Sequence, residues 1–132
     1  MSAVTLLPAG WPKPKGYANG MAAHGRVVVT AGVVGWNSAG QFATGMAAQC
    51  AQIFTNIAAI LAEGGAQPSD VVRLTWYITD RTAYLAEAKA IGAAYRVVFG
   101  AHYPAMAVVV VSGLVEVDAL VEIEATAVIA DG

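Results

Sequence analysis

Two glutamates near the end of the chain are the residues best placed for acid–base chemistry. Over residues 119–129 apolar and polar side chains alternate, which predicts a strand with two different faces. Glu122 and Glu124 share the face that points away from the predicted helices, about 7 Å apart along the strand. A carboxylate in that position is paired, solvated, or shifted in pKa and useful for proton transfer. The sequence nearby has few cations, and all three possibilities stay open at this point.

The other residues able to do chemistry are isolated from one another. Cys50 is the one cysteine, and it falls on the apolar face of a predicted helix, where a buried thiol behaves as a small hydrophobic group. His24 and His102 have no other metal-ligating residues at suitable spacing. The sequence also lacks the standard nucleotide-binding, nucleophile and metal-ligand motifs. We therefore predict neither a metal site nor a common cofactor.

The order of predicted elements is strand, strand, helix, strand, helix, strand, strand, which is an α+β pattern. A length of 132 residues fits one domain, in which we expect residues 1–15 to form an extended N-terminal segment. The aromatic residues either line a pocket or anchor the core and subunit interfaces. The elements are predicted at residues 17–23, 26–32, 46–64, 71–79, 80–100, 105–111 and 119–129.

Local signals give these elements their ends and positions. His24-Gly25 suits a tight hairpin turn between the first two strands. Thr44 is a candidate N-cap for the first helix, and Asp80 or Thr82 for the second. Residues 105–111 are mostly valine, which predicts a strand buried on both faces in the centre of the sheet.

The composition predicts an oligomer. Hydrophobic residues make up 58% of the chain and charged residues 12%, against typical values of about 45–50% and about 25%. So few charges cannot solvate the whole surface of a small monomer. We therefore expect part of the apolar surface to be buried between subunits.

Charge and targeting signals exclude several classes of protein. The net charge is -2, and the seven Lys and Arg residues do not form the basic patch of a nucleic-acid-binding protein. A single cysteine gives no support for secretion, and the first sixteen residues do not read as a signal peptide. The uncharged stretches 43–62 and 97–115 are interrupted by polar residues, glycine or proline. We expect a cytoplasmic protein that binds neither nucleic acid nor membrane.

Six segments in a fixed order resemble the Rid (reactive intermediate deaminase) or YjgF family over residues 16–128. They lie at the start of the domain, in the second strand, in the first helix and in the last three strands. The segments are 15–20 (KGYANG), 29–35 (VTAGVVG), 49–61, 70–80 (DVVRLTWYITD), 103–106 (YPAM) and 121–127 (VEIEATA).

This resemblance implies a chorismate-mutase-like α+β fold, with a mixed sheet backed by two helices. It also implies a homotrimer with a central barrel and small-molecule clefts between subunits. In deaminating members an arginine after Pro-Ala binds the substrate carboxylate. The first glutamate of the last strand positions water to hydrolyse an imine or enamine, and here that residue is Glu122.

The cleft implied by the resemblance is more apolar in this chain. Met106 stands where the arginine is expected, and no neighbouring arginine in the sequence can take its place. Ala31 replaces a common serine, and Ala88 lies near an expected asparagine. These changes remove the main reason to expect a typical 2-imino acid as the substrate.

Two hypotheses follow from the resemblance. In the first, the protein hydrolyses an imine or enamine that lacks the usual carboxylate, with Glu122 as the acid/base. Tyr17, which the family pattern retains, would shape the cleft, and Trp36 and Tyr103 would add to its walls. In the second, the same clefts bind a small ligand without catalysis, in a regulatory or chaperone-like protein.

Overall fold

One layer of helices covers one face of a mixed β-sheet. The structure is a computed structural model and describes residues 3–131. A short 3-10 turn at Pro68–Asp70 precedes the fifth strand. The elements are β1 (Ala3–Leu6), β2 (Gly20–Ala23), β3 (Arg26–Val29), β4 (Val33–Val34), α1 (Met46–Glu63), β5 (Val71–Ile78), α2 (Arg81–Ala86), α3 (Ala88–Phe99), β6 (Ala105–Val110) and β7 (Val121–Ile129).

Strand β7 organises the main sheet. One of its edges pairs with β5, and its other edge pairs with β3 and then β4, all antiparallel. Strand β6 adds to β5 in parallel and forms the edge of the sheet. Strands β1 and β2 form a separate antiparallel pair. The result is the predicted α+β fold with a mixed sheet.

The two faces of β7 differ as the alternation predicts. Side chains at 121, 123, 125 and 127 are buried under the helices, whereas Glu122, Glu124 and Thr126 are half-buried on the other face. We call this other face the open face. Register places further residues on it, namely Val27, Val29, Thr75, Tyr77 and Val109.

Helix α1 confirms the predicted helix but not its predicted cap. Its buried stripe packs with β7 in the hydrophobic core and consists of Met46, Gln49, Cys50, Ile53, Phe54, Ile57 and Leu61. The N-cap is Gly45, not Thr44, and makes no side-chain capping bond. Gly45 has a φ of 91°, which other residues rarely adopt. Glycine therefore makes the turn into the helix and leaves Thr44 outside it.

The second predicted helix is two helices. Asp80 caps α2 as predicted, because its Oδ1 accepts a hydrogen bond from the backbone N of Ala83 at 3.0 Å. The helix is interrupted at Glu87, whose Oε1 accepts from the backbone N of Ala47 at 3.1 Å. Glu87 thus caps the first turn of α1 instead of continuing its own helix.

The predicted hairpin at His24-Gly25 is wrong. Strand β2 pairs with β1, while β3 pairs with β7 from Arg26–Ile129 to Val29–Thr126. The chain therefore passes from one sheet to another between β2 and β3. Strand β1, which pairs with β2, lies within the predicted extended N-terminal segment.

The predicted central position of residues 105–111 is also wrong. Among the strands of residues 3–131, β6 pairs with β5 alone, and Val108, Val109 and Val110 are exposed. The run of valines therefore marks an apolar sheet edge. None of the helices described is long and apolar enough to cross a membrane.

Candidate functional site

The open face brings the two predicted carboxylates next to a tyrosine. Glu122 lies opposite Tyr77 on β5, and Glu124 lies opposite Thr75. The Tyr77 hydroxyl donates a hydrogen bond to Glu124 Oε1. This bond, then desolvation and the charges of the two glutamates, raises the pKa of Tyr77 above its ordinary value of 10.0. Glu124 is therefore held by a neighbour on its own sheet.

The Glu122 carboxylate has a different environment. No hydrogen bond or ion pair among residues 3–131 uses it. It lies against Gly32, where a methyl side chain would overlap the carboxylate. Glycine at position 32 therefore permits the close approach of backbone and carboxylate. The oxygens of Glu122 remain available to accept hydrogen bonds from water or a ligand.

Thr30 fixes the segment that meets Glu122. Its backbone N donates to Ala125 O at 2.9 Å, and its Oγ1 accepts from Ala125 N at 3.0 Å. The same hydroxyl donates to Ala31 O at 2.8 Å. The two bonds to Ala125 attach the segment between β3 and β4 to the central strand, and the bond to Ala31 O lies within the segment; Gly32 is thereby placed beside Glu122.

A cavity of about 390 Å³ opens beside this segment. Asn56 on α1 holds one wall, because its Nδ2 donates to Val34 O at 3.2 Å and to Trp36 O at 2.9 Å. The Trp36 ring packs against Phe42 with centroids 5.5 Å apart. Gly32 lines the cavity and also contacts the Glu122 carboxylate, which itself is not part of the lining. The lining includes Ala31, Gly32, Val34, Trp36, Asn56 and Ile60.

The other predicted site residues lie at the β6 edge, on the helical side of the sheet. Met106 pairs with Leu74, a buried residue, and so shares the helical face with it. Met106 and Tyr103 line one pocket of about 170 Å³. Met106 and Tyr17 line a neighbouring pocket of about 380 Å³.

Backbone contacts bring Tyr17 to this edge. The N of Ala18 donates to Pro104 O at 3.0 Å, and Ala18 forms a parallel bridge with Ala105. The segment before β2 thereby runs beside the start of β6. Tyr17 lies next to this bridge and Met106 directly follows it.

Within one chain the predicted site residues therefore form two groups. One group consists of Glu122, which lies against Gly32, and of Ala31 and Trp36, which line the cavity beside Gly32. The other lies at the β6 edge and consists of Tyr17, Tyr103 and Met106.

The remaining reactive side chains have structural environments. Cys50 is fully buried, and burial, followed by the charge of Glu87, raises the pKa of its thiol to about 12. It is therefore not a thiolate nucleophile near neutral pH. His102 Nε2 donates to Val71 O at 2.6 Å. Residues 3–131 contain no group of three or more His, Cys, Asp or Glu side chains that could hold a metal ion.

Four residues that position the site were not predicted to do so: Thr30, Gly32, Asn56 and Tyr77. Thr30, Gly32 and Asn56 act through contacts between elements distant in sequence, and no local pattern reports such contacts. Tyr77 is one of the aromatic residues expected to line a pocket or anchor the core, but the alternation along β5 does not show that its hydroxyl reaches Glu124.

Comparison with known proteins gives the family. Residues 12–129 match the family described as Endoribonuclease L-PSP. The chain belongs to this family, and its solved relatives include proteins named Rid, RidA and YjgF. This confirms the resemblance that the six sequence segments indicate. No curated protein matches the sequence.

Three solved structures illustrate the similarity. YyfB of Yersinia pestis, a Rid-family protein of unknown function, is 31% identical with a TM-score of 0.86, covering 98% of this chain and 100% of its own. RidA from an Antarctic Psychrobacter is 28% identical with a TM-score of 0.70, covering 96% and 99%. The Escherichia coli YjgF gene product is 30% identical with a TM-score of 0.68, covering 95% and 98%.

Proposed function

We propose that the protein is a homotrimeric hydrolase of an imine or enamine that has no carboxylate on its imine carbon. Glu122 is the acid/base, and the products are a carbonyl compound and ammonia. One observation carries this proposal. Of the two open-face glutamates, Glu124 is held by Tyr77, while the Glu122 carboxylate has no partner among residues 3–131 and lies against Gly32, which lines a cavity. Membership of the Rid family supports the reaction class.

The trimer is part of the proposal because it would unite the two groups of site residues. Glu122 and Met106 face opposite sides of one sheet, so a cleft that contains both needs a second subunit. Apolar side chains also stand exposed on the open face: Val27 is 60% exposed, Val29 62% and Val109 42%. Contact between such faces in a closed ring would remove them from water.

The proposed reaction is addition of water followed by loss of ammonia. Glu122 accepts a proton from water as the water oxygen forms a bond to the imine carbon. The C=N electron pair moves to nitrogen, which receives the proton that Glu122 took from water, and this gives a carbinolamine and restores the carboxylate. Glu122 then accepts the carbinolamine hydroxyl proton and passes it to the nitrogen as C=O forms and the C–N bond breaks, and ammonia leaves. One carboxylate thus acts as base and then as acid.

Met106 sets the proposed substrate class. A thioether packs against apolar and aromatic groups but offers no charge to a carboxylate. A carboxylate bonded directly to an imine carbon and placed against Met106 would lose hydration without gaining a bidentate partner from that side chain. We therefore propose a substrate whose imine carbon carries hydrogen, carbon or a ring instead of a carboxylate.

RNA is not the substrate we propose, although the matched family is described as an endoribonuclease. The chain has seven Lys and Arg against nine Asp and Glu, and phosphate-rich ligands bind through clustered cations. The same composition, with its single cysteine, supports our proposal of a cytoplasmic protein.

Ammonia release tests the proposed reaction. Benzaldimine, produced in place from benzylamine by a flavin amine oxidase, serves as an imine without a carboxylate. We expect the wild type to raise the rate of ammonia release above the uncatalysed rate. Glu122→Gln should lower this increase by about 10²-fold or more, since the amide cannot take a proton.

Glu124→Gln is the matched control, because it makes the same change two residues away on the same face. We expect it to retain most of the activity. Equal losses in the two variants would contradict the role given to Glu122. Saturable binding of small ligands with no ammonia release would favour the non-catalytic binding protein instead.

A further inference from the structure

A pocket at the β6 edge has walls suited to an aromatic ring. It lies between α2, α3 and the helical side of the sheet, and its volume is about 170 Å³. An apolar cavity of about 150 Å³ in a protein core can hold one benzene molecule. The pocket therefore has room for one six-membered ring. We call it the aromatic pocket, and its apolar and aromatic lining is Trp76, Tyr84, Ile91, Tyr95, Tyr103 and Met106.

The walls of the aromatic pocket are held by aromatic packing. The Tyr95 ring stacks on Tyr103 with centroids 5.3 Å apart and planes 14° apart. The Tyr95 hydroxyl donates to His102 O at 2.6 Å. On the opposite side, Trp76 and Tyr84 meet edge to face with centroids 6.2 Å apart. A ligand ring would therefore enter walls that are already ordered, which limits the entropy lost on binding.

Small residues on α3 leave space in the aromatic pocket and allow the Arg96 guanidinium to lie beside it. Ala88 and Gly92 line the pocket one turn apart. A methyl group at Gly92 would lie 3.3 Å from Arg96 Nη1, so the guanidinium lies back along the helix over Gly92. Arg96 lines the pocket, and no ion pair among residues 3–131 uses it.

The charges around this region have one sign. The neighbouring pocket shares Gly16, Tyr84 and Met106 with the aromatic pocket and adds Lys15. The described lining of the two pockets thus has Lys15 and Arg96 as its charged residues and no acidic side chain. The chain as a whole carries a net charge of -2. This local excess of cations favours an anionic ligand.

We propose that the aromatic pocket binds a small aromatic anion, a single ring that carries a carboxylate. The ring lies between Trp76 and Met106, where sulfur and aromatic groups both contact it favourably. The carboxylate binds Arg96, whose planar guanidinium suits it. In such a ligand the ring separates the carboxylate from the group at the opposite end. In a 2-imino acid, by contrast, the carboxylate is bonded directly to the imine carbon. This rests on the proposed function, because it names the ligand class of the cleft that contains Met106.

Calorimetric titration with three probes tests the ligand class without requiring turnover. Benzoate has the ring and the charge, benzamide has the ring alone, and acetate has the charge alone. We expect benzoate to bind saturably, and benzamide and acetate to bind at least about tenfold more weakly. Benzamide binding as tightly as benzoate would overturn the role of Arg96. Absence of benzoate binding would overturn the whole proposal, even if imine hydrolysis were observed.

Variants test the location. Ala88→Leu should fill the pocket and abolish benzoate binding, and Ala88 is exposed enough for folding to survive the change. Arg96→Gln should weaken benzoate binding about tenfold or more. Arg81→Gln, an exposed arginine on α2 outside both linings, should leave it unchanged. Circular dichroism checks each fold, and unchanged binding in both pocket variants would place benzoate elsewhere and overturn the proposal.

Discussion

Replacement of Gln49 by methionine should destabilise the protein far more than its position on a helix suggests. Gln49 is only 2% exposed. Its Nε2 donates to Ala43 O at 3.1 Å and to Asp118 O at 3.0 Å. Its Oε1 accepts from the backbone N of Leu120 at 2.8 Å. One amide therefore joins α1 to both the loop before it and the segment that enters β7, two residues before Glu122.

The size of the effect follows from those three hydrogen bonds. Methionine has a similar length and volume, so the loss of packing should be small. Each buried hydrogen bond contributes about 1 kcal/mol net. Loss of all three therefore predicts a decrease of about 3 kcal/mol in the free energy of unfolding. The Leu120 N–H and the two carbonyls would also be left without their partner, which works in the same direction.

Urea denaturation at a fixed protein concentration measures this decrease, since the stability of an oligomer depends on concentration. Gln52→Met is the matched control on the same helix. Gln52 is half-buried and its Nε2 makes one bond, to Asn56 Oδ1 at 2.9 Å. We expect this control to lose about 1 kcal/mol or less. A loss below about 1 kcal/mol in Gln49→Met, with an unchanged urea dependence, would refute the reasoning.

Four further predictions test separate parts of the structure. Met106→Arg should release ammonia from 2-iminopropionate faster than the wild type, because the variant offers a bidentate partner to the carboxylate; equal rates would contradict this. Absorbance titration should lose one of the tyrosines that ionise above pH 10 in Tyr77→Phe, since Glu124 accepts a hydrogen bond from the Tyr77 hydroxyl, while Tyr84 and Tyr95, whose pKa values burial raises, should still ionise above pH 10. Val109→Asp should leave the subunit folded but prevent the proposed trimer, which light scattering would detect; an intact trimer would argue against contact through the open face. The pKa of Cys50 rises from 9.0 to about 12 on folding, so the contribution of the neutral thiol to stability is complete below pH 9 and declines towards pH 12. Urea denaturation of wild type and Cys50→Ala should therefore show that the wild type's advantage in free energy of unfolding decreases between pH 9 and pH 12.

Periodic segments were predictable because their pattern reports the local environment. The apolar spacing in α1 and the alternation in β7 each record which side meets the core, and the structure confirms both. Asp80 was predictable as a cap because its side chain acts within its own first turn. Glu87 was not, since the N–H that it caps belongs to residue 47 on another helix.

Strand neighbours were less predictable than strands. His24-Gly25 has the residue types of a hairpin turn, but β2 and β3 find partners elsewhere in the chain. The valines of β6 indicate an apolar environment but do not distinguish a central strand from an apolar edge of the sheet. In one subunit, Val108 to Val110 are exposed at the edge of the sheet, so the apolar pattern reflects a surface and not a central strand.

The position of the cation illustrates the same limit in the candidate site. The sequence shows Met106 where the family pattern has arginine, and no arginine close to it in the chain. The fold brings Arg96 from α3 to the lining of the same pocket. An arginine at position 106 would hold a carboxylate from the sheet side of this pocket, whereas the carboxylate that we propose for Arg96 would be held from the helix side. Met106→Arg should therefore raise the turnover of 2-iminopropionate. Arg96→Gln should weaken the binding of benzoate and leave the turnover of 2-iminopropionate low. If Arg96→Gln instead abolished a strong wild-type turnover of 2-iminopropionate, Arg96 would simply replace the missing arginine, and the proposed ring-sized spacing would be wrong.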